Sequence, residues 1–169
     1  MSHHAYIRFD GIEGRTTEKE LPGWTRLWAF RHSIMQPAAG SAAARGDAGP
    51  GRADHGDFII LKNVDEASPR LSLYCCAGAR LPNVTVAIHN SANFRLKYIE
   101  YKMTDVTIRA VTPYLPEAGD NTDGNGARVV REEIALRYRR ITWTYTMLED
   151  GAARGDVTCY WDLMQNQGG

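Results

Sequence analysis

An all-β fold with one short helix is what this sequence predicts, and three observations carry that expectation. Apolar residues recur at every second position along segment after segment, which is the spacing of a strand with one buried face. A single segment, about 66–77, instead repeats them at i, i+3, i+4 and i+7, as a helix does. Two stretches, 38–56 and 117–127, follow neither period. The expected architecture is a two-sheet β-barrel or tight sandwich, with a short α-helix at about 66–77 and a long extended loop at 38–56.

The first strand has Ala5, Ile7 and Phe9 alternating with Tyr6, Arg8 and Asp10 before a turn at Gly11 to Gly14. In the next run, Trp24, Trp28, Phe30 and Ile34 are expected on one face, with Leu27, Ala29, Arg31 and Ser33 on the other. Further strands are expected at 58–62, 84–89, 96–113, 133–147 and 157–164. Within 133–147 the phase changes. Ile134, Leu136 and Tyr138 share one parity, while Ile141, Trp143, Tyr145 and Met147 share the other. One extra residue near Arg139 and Arg140, a β-bulge, would return both sets to the core and leave Thr142, Thr144 and Thr146 as a polar stripe. For the helix, Ser68 is the expected N-cap and Pro69 the first helical residue. Leu71, Tyr74 and Cys75 form its apolar face, and Gly78 closes it.

The 169 residues suit one domain spanning 1–169. A hydrophobic fraction of 43% and a charged fraction of 24% are ordinary for a globular chain. Twenty basic residues balance twenty acidic ones, so neither nucleic acid nor an anionic membrane is an expected partner. No apolar run is long enough to span a bilayer. Met1-Ser2-His3-His4 lacks the basic and apolar parts of a signal peptide. The chain is therefore expected to be made in the cytoplasm, with any export by another route.

Chemistry-bearing motifs are few. Asn121, Asp123, Asn125 and Glu132 approach the ligand spacing of a calcium loop, but prolines and a strand replace its flanking helices, and a plain turn is the better reading. Cys75 and Cys76 are adjacent and Cys159 stands apart. Neighbouring helical residues point about 100° apart, so the pair is read as buried small hydrophobes and not as a metal clamp. His55, beside Asp54 and Asp57, has the composition of an acid–base pair, but a glycine-rich loop is a poor frame for catalysis. No nucleophile elbow, P-loop or dinucleotide fingerprint is present. The reading therefore contains no catalytic residue, cofactor or metal. Residues 38–56 are largely Ala and Gly, with Arg45, Asp47, Arg52 and Asp54 scattered among them. Such a loop buries too little apolar surface to order itself, and suits ordering by a neighbouring molecule.

The order of these signals resembles the Hcp (haemolysin-coregulated protein) family from end to end. The resemblance rests on Ala5-Tyr-Ile-Arg-Phe-Asp-Gly-Ile-Glu-Gly14, Met35-Gln-Pro37, Arg52-Ala-Asp-His-Gly-Asp-Phe58 and Asp65-Glu-Ala-Ser-Pro-Arg-Leu71. Cys75-Cys76 with Gly78, Tyr98-Ile-Glu-Tyr101, Ile141-Thr-Trp-Thr-Tyr145 and Trp161-Asp-Leu163 complete it. Two segments depart from the family pattern: Arg80-Leu-Pro-Asn83 stands where a more basic turn is common, and the loop 114–128 is unusually polar.

What the resemblance implies is assembly. Family members form hexameric rings that stack into the inner tube of the type VI secretion system, a structure that carries and stabilises small effector proteins in its lumen. The implied partners are further copies of the chain, the spike, sheath and baseplate components, and effectors. The resemblance places Leu27, Ala29, Arg31 and Ser33 on the lumen and cargo face, with a subunit interface as the equal alternative. It places Arg45, Asp47, Arg52 and Asp54 on a loop that reaches adjacent subunits or rings. Two other readings compete: a closed β-barrel around a small apolar ligand, and a phage-derived tail-tube-like protein.

Overall fold

The computed structural model describes residues 3–37, 52–90, 93–117 and 128–169. Its strands are β1 (His3–Phe9), β2 (Thr25–Arg31), β3 (Ile34–Met35), β4 (Asp54–His55), β5 (Phe58–Asn63) and β6 (Arg80–Asn90). There follow β7 (Asn93–Tyr114), β8 (Arg131–Arg137), β9 (Arg140–Glu149), β10 (Ala152–Asp162) and β11 (Gln167–Gly168), and one helix, α1 (Ser68–Ala77), lies between β5 and β6. Strands β7, β6, β1, β2, β5 and β8 pair in that order, and β8 returns to β7, which closes a six-stranded antiparallel barrel. Strands β9, β10 and β11 continue the sheet from β7 beyond the closure. The all-β expectation holds, as one closed barrel with an extension.

The hinge of this arrangement is β7, which serves two partners in turn. Residues 99–104 pair with β9, and 107–114 pair with β8. Asp105 lies between the two ladders at φ 55°, a left-handed conformation that Asp tolerates better than bulkier residues. Arg80 of β6 holds its carboxylate at 2.7 Å. The kink turns β7 from the extension into the barrel wall.

Ile7, Phe9, Phe58, Ile60, Val86, Met103, Ile134, Leu136 and Ile141 fill the barrel. All are buried. An eight-stranded barrel is just wide enough to be filled by side chains, and a six-stranded one is tighter. Among the described residues these side chains pack together as one core.

Three local expectations are corrected by the pairing. In β2, Leu27 lies opposite Lys62 but Ala29 lies opposite Leu61, so an extra residue is inserted at Trp28. The bulge switches the face. Leu27 is core, only 5% exposed, and cannot belong to an outer face, while Trp28 stands outside at 49% and Phe30 turns inward. Trp28 is held there by Arg131, whose guanidinium lies 4.1 Å from its ring centre, and by a hydrogen bond from its indole N–H to Asn63. The phase change in 133–147 is real but is a strand break. Tyr138 and Arg139 separate β8 from β9, which share β7 but pair on their other sides with β5 and β10, and beyond Trp143 the residues Tyr145 and Met147 are exposed.

Ser68, third, is the first residue of α1 and does not cap it. Asp65 accepts the Ala67 N–H at 3.0 Å, and the Ser68 hydroxyl donates to Glu132 at 2.6 Å. Gly78 closes the helix in the left-handed region at φ 59°, as expected. Cys75 is half-buried and Cys76 exposed, so only Cys75 packs towards the core.

Beneath the start of α1 lies a group that the alternation placed but did not explain. Lys62 is fully buried. Its ammonium donates to Glu132 at 2.7 Å, Asp65 at 2.8 Å, the Asn63 carbonyl at 2.8 Å and Ser68 at 3.3 Å. Asp65 also accepts from Thr25 at 2.9 Å. One cation thus ties β5, β8, β2 and the entry of α1 together.

Candidate functional site

No constellation of three or more His, Cys, Asp or Glu side chains able to hold a metal occurs among the described residues. The calcium-like segment 121–127 lies outside them. The features that remain are surfaces. The first follows from the way β7, β9 and β10 are paired. In one row Ile99, Tyr145 and Val157 lie side by side, and in the next Tyr101, Trp143 and Cys159 do. Both rows share the face that continues into the core at Met103 and Ile141. Tyr101 packs edge-on against Phe30, so this end of the sheet is anchored. Where the sheet runs past the barrel wall that covering stops. Tyr145 is 52% exposed, Val157 56% and Met147 46%, and Tyr145 and Val157 form an open apolar groove with Ile99, Trp143 and Cys159.

The opposite face of the extension is polar. Thr144 and Thr158 share a hydrogen bond at 3.2 Å, Thr146 donates to Asp156 at 2.6 Å, and Arg140 lies over the Tyr160 ring. Among the described residues the outer edge of β10 is paired only at its C-terminal end, by β11 and by Tyr160 with Gly169. The stretch from Ala152 to Cys159 therefore offers free backbone donors and acceptors, as edge strands do.

The second surface carries the residues singled out on β2 and after it. Ala29, Arg31 and Ser33 are exposed. Arg31 pairs with Glu133 of β8 at 3.3 Å across the outer wall.

The third is the base of the long loop. Ile34 pairs with His55 and Met35 with Asp54, forming a short ladder, and the Gly56 N–H donates to the Ser33 carbonyl at 3.0 Å. Asp54 is exposed, and the guanidinium of Arg52 donates to the Leu163 carbonyl beside Asp162. Arg45 and Asp47 lie outside the described residues. His55 is buried with His32 and Tyr138, not poised with Asp54 and Asp57 as a solvent-facing base. Sequence reading missed this trio because its members are 83 and 106 residues apart.

The closing motif also has a local reason. Asp162 accepts the N–H groups of Met164 and Gln165 and pairs with Arg139. The Gln165 N–H is the largest influence holding its carboxyl below the ordinary carboxylate range. This carboxylate fixes the turn from β10 to β11.

The family model described as "Type VI secretion system effector, Hcp" matches residues 6–145. The chain belongs to the Hcp family. The major exported protein of Pseudomonas aeruginosa is 25% identical over 134 residues, covering 78% of this chain and 74% of that protein. Among solved structures, a type six secretion system protein superposes with a TM-score of 0.83 at 22% identity over 99% of this chain and 100% of that one. An Hcp protein of Salmonella typhimurium gives 0.77 at 22% identity over 99% of both chains. A type VI secretion system effector from Yersinia pestis gives 0.70 at 25% identity, over 94% and 98%. The Hcp family is one of structural, exported tube proteins and not of enzymes. Among the described residues no helix of this Hcp chain is long and apolar enough to cross a membrane.

Proposed function

We propose that this Hcp chain is the ring-forming subunit of the type VI inner tube. Six copies close head to tail, the rings stack, and effector proteins travel in the lumen while the spike, sheath and baseplate act on the assembled tube. The observation that carries this reading is the open apolar groove at Tyr145 and Val157, beside a largely unpaired strand edge, with exposed Met147 further along β9. A ring closes by heterologous contacts, one patch meeting a different patch on the next subunit. An apolar groove flanked by free backbone groups suits such a contact. Fully covering each large side chain is worth roughly 1.5–3 kcal/mol, so the patch would supply the centre of an interface.

Ala29, Arg31 and Ser33 are the outward residues that remain for the lumen and cargo face, with Leu27 withdrawn into the core. Because Arg31 is paired with Glu133, Arg31→Glu sets two carboxylates side by side. The substitution is expected to leave the barrel folded and to weaken cargo retention or ring closure at least several-fold, read by co-purification of an effector and by ring counts. Unchanged cargo and unchanged rings would remove Arg31 from the face. Arg45, Asp47, Arg52 and Asp54 belong in this reading to the loop that contacts an adjacent subunit or ring.

Negative-stain electron microscopy with light-scattering mass tests the whole. Six-fold rings with an open centre are expected, and a homogeneous monomer across a wide concentration range would overturn the reading. Rings that reject type VI effectors would favour the phage-derived tail-tube alternative.

A further inference from the structure

The ladder of β3 and β4 is fastened by an arrangement that two protonated histidines cannot satisfy. The Tyr138 hydroxyl lies 2.7 Å from His55 Nδ1 and 2.8 Å from His32 Nε2. It carries one proton, so it can donate to one imidazole and must accept from the other. His32 also has a hydrogen bond with the Gly56 backbone. A His32 that donates from Nδ1 leaves Nε2 to accept from Tyr138, and His55 then donates from Nδ1 to the hydroxyl oxygen. Both bonds at the Tyr138 hydroxyl then have one donor and one acceptor. A proton on His32 alone is accommodated when His55 changes tautomer and accepts from Tyr138 at Nδ1; with both rings protonated both nitrogens donate, and the Tyr138 proton loses its acceptor.

The surroundings give little compensation. The two imidazole rings lie 6.1 Å apart, packed among Phe58, Tyr138 and Trp143. The charged groups around them are Arg137, Asp54 and Asp57, with Arg52 across the adjoining cleft. Arg137 is already committed to the His55 carbonyl and to Asp57. Asp54, which is exposed, favours a charged His55.

We propose that His32, Tyr138 and His55 form a proton-sensitive clasp, which fastens the ladder of β3 and β4 to the barrel at neutral pH and releases it on mild acidification. That ladder contains His55 itself, paired with Ile34. Burial, acting first, together with the neighbouring cations holds both histidines below the ordinary 6.5. With the closed-state values depressed, the opened state binds more protons below pH 6.5. The clasp is then fully stable above that value and weakens as pH falls through it, levelling off below the closed-state values. Each histidine contributes up to about tenfold per pH unit in that window. The release is local and does not depend on ring formation.

Amide hydrogen exchange on the full chain at pH 7.5 and pH 5.0, corrected for intrinsic rates, reads it directly. Protection of the Gly56 and His55 amides is expected to fall about tenfold or more, while that of Val86 in the barrel wall stays within twofold. Equal loss at Val86, or no loss at Gly56, would overturn the proposal. In His32→Gln/His55→Asn, whose amides bond without titrating, the pH dependence at Gly56 should vanish, and its persistence would also overturn the clasp. Should that variant not fold, histidine titration of the unmodified chain by NMR decides. The clasp requires both imidazoles to titrate below 6.5 together with the loss at Gly56, and ordinary, uncoupled titration contradicts it.

Discussion

Lys62→Met is expected to cost about 3–5 kcal/mol, the range observed when one partner of a buried ion pair is removed. For a domain of this size that is a large share of the whole stability, which lies at about 5–15 kcal/mol. Methionine fills nearly the same volume, so the loss is electrostatic. Glu132 is buried and bonded both to the Lys62 ammonium and to the Ser68 hydroxyl, and Asp65 shares the same cation. Without the ammonium, two carboxylates converge on Ser68 and the entry of α1 with no counter-charge. Urea or thermal unfolding measures the effect, and an unchanged midpoint would show that the cluster is not what ties the strands. Lys62→Met/Asp65→Asn/Glu132→Gln should recover much of the loss, because uncharged partners no longer need a cation. The triple variant separates the missing charge from any defect of packing.

The buried lysine also marks where sequence reading stopped. Phe58, Ile60 and Lys62 hold alternate positions, so period two alone sends Lys62 inward. What it cannot supply is the partner, since Glu132 is 70 residues away and arrives on β8 only when the barrel closes. The same limit explains the misplacement of Leu27. The bulge at Trp28 is a property of the ladder between β2 and β5, and nothing in the local alternation announces it. By contrast, the break after Arg137 was visible as a change of parity, because Ile134, Leu136 and Ile141 must all reach one core. Helix α1 was legible from Pro69, Leu71 and Gly78, whose roles are local. The surfaces were the least legible. Tyr145, Met147 and Val157 have the composition of core residues, and only the end of the barrel wall leaves them uncovered.

That uncovered face yields the strongest prediction for function. Tyr145→Glu/Val157→Glu is expected to abolish rings while leaving the subunit folded. The two side chains are neighbours across β9 and β10, and each is already half in water. Charging them therefore costs the monomer little, about 0.5 kcal/mol or less per surface site, and the unfolding temperature should move by only a few degrees. In an assembled ring the same carboxylates would be desolvated without partners, a penalty of several kcal/mol for each. Interface contacts worth roughly 1.5–3 kcal/mol per apolar side chain cannot offset that. Light-scattering mass should report a monomer at concentrations where the unmodified chain gives rings. Rings that persist in the double variant would mean that subunits meet elsewhere. The polar opposite face, with Thr144, Thr158 and Arg140, would then be the next surface to charge, since it borders the same open edge of β10.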